Sequence, residues 1–198
     1  MLSRIPTCLV MAGGRGERFG NPCKFLEEVC GEGILPRLLR QLGELCQWVI
    51  IALSPHTLNC ARGFCEELPC LVLPGLGYVE DLSIVLPALR KPALVAAADL
   101  VASSQSLQYF IKRSLEVAGR GVSVVTAVRV RLRVEEPVGL SMFFEEGGPW
   151  ENVKFTAGLE DVDTREDLKS LRRSCSQGIS VVNVHVLDSP APIPNTTP

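Results

Sequence analysis

Apolar residues in this chain fall into short runs separated by longer amphipathic stretches. The runs near residues 5–12, 47–53, 70–73, 93–98 and 122–130 are rich in Val, Ile, Leu and Ala and border Gly, Pro or Ser, which predicts buried strands. Between and after them, apolar positions recur at helical spacing near 33–43, 57–67, 78–89, 104–117 and 164–174. Strands with no polar face, alternating with helices, predict a mostly parallel central sheet covered on both sides, a three-layer α/β/α, Rossmann-like architecture. Ligands gather beyond the carboxyl ends of such strands. Four segments should therefore meet at one crevice: residues 13–18, 54–57 and 75–81, and Asp99. A further strand signal runs from Gly178 to Leu187 ahead of a proline-rich end. It divides the chain into a main domain, 1–175, and a segment, 176–198, expected to join a sheet edge or support a homodimer.

Composition narrows the picture. With 198 residues, 46% of them hydrophobic, the chain can bury one sizeable core. A formal net charge of −2 argues against nucleic acid as a partner, since phosphate backbones select a basic stripe. No apolar run reaches the roughly 20 residues of a membrane span, and the first strand leads into a glycine turn rather than a signal-peptide cleavage site. A cytoplasmic location is the expectation. Eight cysteines are unusual there. Cys60, Cys65 and Cys70 are too widely spaced for a zinc knuckle, so burial as small apolar residues is expected for most, with pairing open for some.

The candidate chemistry starts where the first strand stops. In Leu9-Val-Met-Ala-Gly-Gly-Arg-Gly-Glu-Arg-Phe-Gly20, glycines free the backbone to aim N–H groups at one anion. Arg15 and Arg18 add forked donors, and Lys24 adds a compact charge suited to an α-phosphate. The segment is not a P-loop, because no Gly-Lys-Ser/Thr follows Gly14 at the required distance, and the third glycine of a dinucleotide fingerprint arrives one residue late, at Gly20. Asp99 emerges from the end of a buried strand, where a carboxylate can carry Mg²⁺ against phosphate oxygens. The alternative, a helix cap, suits Ser103 or Ser104 better.

These residues resemble the signature of the MobA-like nucleotidyltransferases, which include sugar-1-phosphate nucleotidylyltransferases and the molybdenum-cofactor guanylyltransferase. Further stretches are similar to the archaeal GTP:adenosylcobinamide-phosphate guanylyltransferases. They include Ser54-Pro55-His56-Thr57, Gly77-Tyr78-Val79-Glu80-Asp81-Leu82, Ala98-Asp99-Leu100, Pro137-Val138-Gly139-Leu140 and Thr164-Arg165-Glu166-Asp167-Leu168. The resemblance implies transfer of GMP from GTP to adenosylcobinamide phosphate, with Mg²⁺ as cofactor. Its site would comprise Arg15, Arg18, Lys24 and Asp99 for catalysis and Ala12, Gly13, Gly14, Gly16, Ser54, Gly77, Glu80 and Asp81 for the nucleotide. Gly139 would face the acceptor. A nucleotide-binding regulatory subunit without turnover is the alternative of another class, and retention of both Lys24 and Asp99 speaks against it.

Other residues read less sharply. Glu80 and Asp81 either offset a helix dipole or accept hydrogen bonds from guanine N1–H and N2–H₂. His56 is expected at a helix start, since a phosphomonoester anion needs no general base. Ser141 stands where the resembling family leads one to expect asparagine. Arg129, Arg131 and Arg133 share one strand face and read as a solvated edge.

Overall fold

The computed structural model describes residues 4–176. In chain order the strands and helices are β1 (Ile5–Met11), β2 (Glu28–Val29), β3 (Glu32–Gly33), α1 (Ile34–Leu45), β4 (Cys46–Leu53), α2 (Leu58–Ala61), β5 (Cys70–Val72) and α3 (Tyr78–Val85). They continue with β6 (Ala93–Ala97), β7 (Leu100–Ala102), α4 (Ser104–Ala118), β8 (Val124–Arg131), β9 (Val134–Phe143), β10 (Trp150–Phe155), β11 (Leu159–Asp161) and α5 (Arg165–Ser176). Seven strands form the central sheet in the order β10-β8-β9-β6-β1-β4-β5. Every neighbouring pair is parallel except the two made by β9.

Alternation within the strands divides the core into two layers. Cys8 and Val10 of β1, Ile51 and Leu53 of β4, and Leu94 and Ala96 of β6 pack with α1 and α4 on one face. Leu9, Met11, Ala52 and Val95 point the other way, onto Leu82 and Val85 of α3. Each buried Leu or Val removes enough apolar surface to contribute about 2 kcal/mol before entropy is counted, which is why neither strand face is polar. The long helices expected near 57–67 and 78–89 are shorter. The first becomes α2 and a 3-10 turn over Arg62–Glu66. The second ends at Val85, followed by a 3-10 turn containing Pro87, which has no N–H to continue an α-helical ladder.

The topology decides where a ligand can sit. From β1 the chain moves to β4 on one side, and later reaches β6 on the other. The sheet thus changes winding direction between β1 and β6, and a crevice opens beyond their carboxyl ends. A second, two-stranded ladder pairs β7 with β11 antiparallel, setting Leu100 opposite Asp161. This brings a segment late in the chain beside the end of β6.

All eight cysteines pair, so the expectation that most are simply buried is corrected. The bridges are Cys8–Cys46, Cys23–Cys60, Cys30–Cys175 and Cys65–Cys70, with Cα separations of 5.9, 6.3, 5.3 and 5.4 Å, all within disulfide reach. Sequence spacing could not reveal them, because three of the four join residues brought together only by folding. The tail signal at 178–187 lies outside the described residues. No helix among the described residues is long and apolar enough to cross a membrane.

Candidate active site

The turn after β1 is anchored where it leaves the strand and exposed in its middle. Ala12 N–H donates to the Ala52 carbonyl at 2.7 Å, and Ala98 N–H donates to the Met11 carbonyl at 3.0 Å, locking the strand ends together. Gly14, Arg15, Glu17 and Arg18 are exposed, whereas Phe19 is buried. Gly16 has φ +64°, and a Cβ there would meet the Asn21 carbonyl oxygen at 2.1 Å, so no other residue closes this turn without displacing backbone. Gly13 lies against Ser54, where a Cβ would sit 3.3 Å from the serine Cβ. The residues expected after β1 and β4 therefore touch.

Lys24 opens a short 3-10 turn whose next residue, Phe25, is buried in the core. Its ammonium group is ion-paired with Asp99 and donates to Asp163 Oδ1 at 3.0 Å. Arg18 reaches the other oxygen of Asp163, also at 3.0 Å. Lys24 and Asp99 thus share one crevice. Burial works against the lysine's charge, but the two carboxylates outweigh it and raise its pKa above the ordinary lysine value. Burial likewise disfavours ionised Asp163, yet hydrogen bonding to Lys24 and the nearby Lys24 and Arg18 charges hold its carboxyl below the usual range. Both partners stay charged near neutrality.

Asp163 escaped the sequence reading. It follows β11, and it reaches Asp99 through the β7–β11 ladder and the bond from Val162 N–H to the Asp99 carbonyl, 3.2 Å. The signal that could have found it is the helix start behind it. Thr164 and Asp167 form a reciprocal cap, with Asp167 N–H donating to Thr164 Oγ1 at 3.2 Å and Thr164 N–H to Asp167 Oδ2 at 2.7 Å. That cap fixes the entry to α5, whose Arg165 guanidinium lies 5.2 Å from the Phe19 ring centroid. Glycine turn and Asp163 are held as neighbours.

The α4 cap is Ser103, whose Oγ accepts from Ser106 N–H at 3.0 Å, leaving Asp99 free of that duty. Asp99 and Asp163 supply hard oxygen donors within reach of a single ammonium group. Such a pair suits Mg²⁺, which commonly takes one or two carboxylates and completes its shell with phosphate oxygens and water.

On the other side of the crevice, Asp81 is buried and accepts from Gly75 N–H at 3.1 Å with both oxygens and from Leu76 N–H at 3.3 Å. Its carboxylate organises the loop between β5 and α3. Glu80 is exposed and folds beneath Gly77, where a Cβ would meet Glu80 Oε2 at 2.3 Å. Tyr78 keeps 44% of its surface exposed. Its phenol is nevertheless pushed up to about 12, by desolvation first and the Asp99 charge second. His56 contributes a backbone N–H to Ser54 Oγ at 3.2 Å.

Toward β9, Gly139 has φ +65°, and a Cβ there would lie 2.6 Å from Ala97 Cβ. The close approach it permits is to β6, two residues before Asp99. Ser141 is engaged across the sheet with Thr126, their hydroxyls 3.2 Å apart. Arg129 corrects the reading of a solvated edge: its side chain is only 12% exposed and bonds to Glu160, Asp161 and Glu136 at 2.7, 2.9 and 2.8 Å. Arg131 also reaches Glu160, at 2.6 Å, whereas Arg133 lies in the β8–β9 turn with φ +68°.

Residues 8–159 match the model of the MobA-like NTP transferase domain. The chain belongs to this family. A curated adenosylcobinamide-phosphate guanylyltransferase from Methanocaldococcus jannaschii is 31% identical over 100 residues, 47% of this chain and 51% of that protein. The match thus spans about half the length of that relative. Among solved structures, the inositol-1-phosphate CTP transferase from T. maritima superposes with a TM-score of 0.63 at 11% identity, covering 91% of this chain and all of that one. A CMP:2-keto-3-deoxy-manno-octonic acid synthetase complexed with CTP gives 0.62 at 11% identity, over 89% of this chain and 100% of the other. These likenesses show the fold. Family and fold agree on an NTP-transferase architecture.

Proposed function

We propose that this nucleotidyltransferase moves GMP from GTP to adenosylcobinamide phosphate, giving adenosylcobinamide-GDP and pyrophosphate. The observation that carries the transfer chemistry is the meeting of Lys24, Asp99 and Asp163 beyond the ends of β1 and β6. The choice of acceptor is supported by the M. jannaschii relative and by the Gly77–Leu82 run.

The triphosphate lies along the turn from Ala12 to Arg18, its oxygens met by backbone N–H groups of Gly13, Gly14 and Gly16 and by the guanidinium groups of Arg15 and Arg18. Lys24 stabilises charge that builds on the α-phosphoryl group. Asp99 and Asp163 would hold Mg²⁺, which supplies neutralisation of phosphate charge. An oxygen of the acceptor phosphate attacks the α-phosphorus in line as the bond to pyrophosphate breaks. No proton needs to be removed, because a phosphomonoester is already an anion, so alignment and charge stabilisation carry the rate. Gly77 and Ser54 border the nucleoside, with Glu80 as the acceptor of hydrogen bonds from guanine. Gly139, packed beside the Asp99 segment, belongs to the acceptor side.

The test is release of pyrophosphate from GTP in the presence of single phosphomonoesters. Adenosylcobinamide phosphate should support turnover, and sugar phosphates and molybdopterin should not. Turnover with one of those alone would move the protein to another branch of the family. Absence of any triphosphate binding by calorimetry would remove the reading altogether.

A further inference from the structure

The segment that carries Lys24 has few anchors of its own. Between Met11 and Lys24 the backbone makes no strand pairing, and the turn from Gly16 to Asn21 is closed by bonds to a single carbonyl, that of Gly16. Lys24 must nevertheless hold an ammonium group against two carboxylates contributed by different parts of the fold. Two covalent or packed contacts flank it: Phe25, buried on its carboxyl side, and Cys23, bridged to Cys60 on its amino side. Cys60 lies in α2, directly behind the Ser54–Thr57 segment that closes β4. The bridge therefore ties the exit of the glycine turn to the end of the neighbouring strand, across 37 residues of sequence.

We propose that the Cys23–Cys60 disulfide is a positioning cross-link for Lys24, holding the ammonium group at the reacting phosphate. Its catalytic consequence rests on the role proposed above for Lys24; the restraint itself does not. Cleavage by a dithiol would convert the bridge to two thiols and the reagent to its cyclic disulfide, leaving Lys24 held by Phe25 on its carboxyl side and, on its amino side, by nothing nearer than buried Phe19. The Cys65–Cys70 bridge provides the internal control. It joins residues five positions apart and enters β5 at its first residue, at the end of the sheet away from the crevice.

Two readouts separate the cross-link from the reaction. In the first, acetic anhydride labels lysines in the protein without nucleotide, and the rate at Lys24 is followed by peptide mass spectrometry, with exposed Lys169 as reference. C23S/C60S should accelerate Lys24 labelling about fivefold or more through local opening, while C65S/C70S should not. Equal Lys24 rates in all three folded proteins would overturn the proposal whatever the enzyme's substrate. In the second, C23S/C60S should lower kcat about tenfold or more with KM for the nucleotide nearly unchanged, the mark of lost alignment rather than lost binding. Unchanged kcat in a folded variant would also overturn it. Failure of the unmodified protein to turn over would count against the proposed function and leave the labelling result standing. C23A/C60A and a non-reduced peptide map guard against misfolding: a linked Cys23–Cys60 peptide supports the bridge, and free thiols on both residues in active protein exclude it.

Discussion

Two ion clusters sit side by side in this molecule, and their chemistry looks alike until their surroundings are compared. Around Lys24, one ammonium and one guanidinium face Asp99 and Asp163 at the open ends of β1 and β6. Around Arg129, a guanidinium 12% exposed meets Glu136, Glu160 and Asp161 across β8, β9 and β11. The second cluster knits strands together, and its cation is enclosed by its own carboxylates. The first lies where the sheet changes winding direction, beside a glycine turn whose Gly14, Arg15 and Arg18 are exposed. Location relative to the strand ends, not the residue types, separates the set proposed for catalysis from the structural one.

The strongest way to sharpen that contrast is to remove the central cation from each cluster. Lys24→Ala should lower guanylyl transfer about a hundredfold or more, as loss of a group that stabilises transition-state charge does, with circular dichroism unchanged. Asp99→Asn should act in the same direction and leave folding intact. Normal turnover in either variant would place the chemistry elsewhere. Arg129→Ala should do the opposite, costing about 3 kcal/mol in denaturant unfolding because Asp161 is left half-buried without its cation and Glu160 keeps only Arg131. A stable Arg129→Ala protein with impaired turnover would reverse the assignment of the two clusters.

Smaller effects test the base side and the junction between clusters. Glu80→Ala should reduce the preference for GTP over ATP about tenfold, roughly the value of one charge-assisted hydrogen bond. Asp81→Ala should instead raise KM for both nucleotides by releasing Gly75 and Leu76. An unaltered GTP preference in Glu80→Ala would exclude the carboxylate as the guanine contact. Asp161 joins the clusters. Its carboxyl is pushed up to about 6, chiefly by burial and further by repulsion from Asp163, against the pull of Arg129. A raised carboxyl pKa contributes stability below about pH 4 that is lost as pH rises through 6. Asp161→Asn should remove that loss, so relative to the unmodified protein its stability should improve by about 1 kcal/mol between pH 4 and pH 7. Parallel unfolding curves at both pH values would rule this out.

The legible parts of the molecule were those written in local pattern. Five apolar runs and the helices between them marked out β1, β4, β5, β6 and β8 and the parallel half of the sheet, because burial on both faces leaves few polar positions in a strand. Gly16 and Lys24 were legible because a glycine-rich turn and a cation shortly after a strand end carry their own chemistry. The antiparallel strand β9 and edge strand β10 were missed, since their mixed polar and apolar residues resemble a loop when read without partners. The helix over 57–67 was overextended for the same reason in reverse, its apolar spacing persisting into a 3-10 turn.

Residue order determined, without further help, a two-faced sheet and a glycine-rich turn with a lysine beyond it. Tertiary structure alone decided that Asp163, far along the chain, would complete the Lys24–Asp99 site, that Asp81 would spend its oxygens on a loop, and that eight cysteines would form four bridges. The physical reason is the range of the forces. Backbone propensity and burial period act over a few neighbouring residues, whereas an ion pair or a disulfide depends on distances that exist only after the β7–β11 ladder and the strand crossovers have closed.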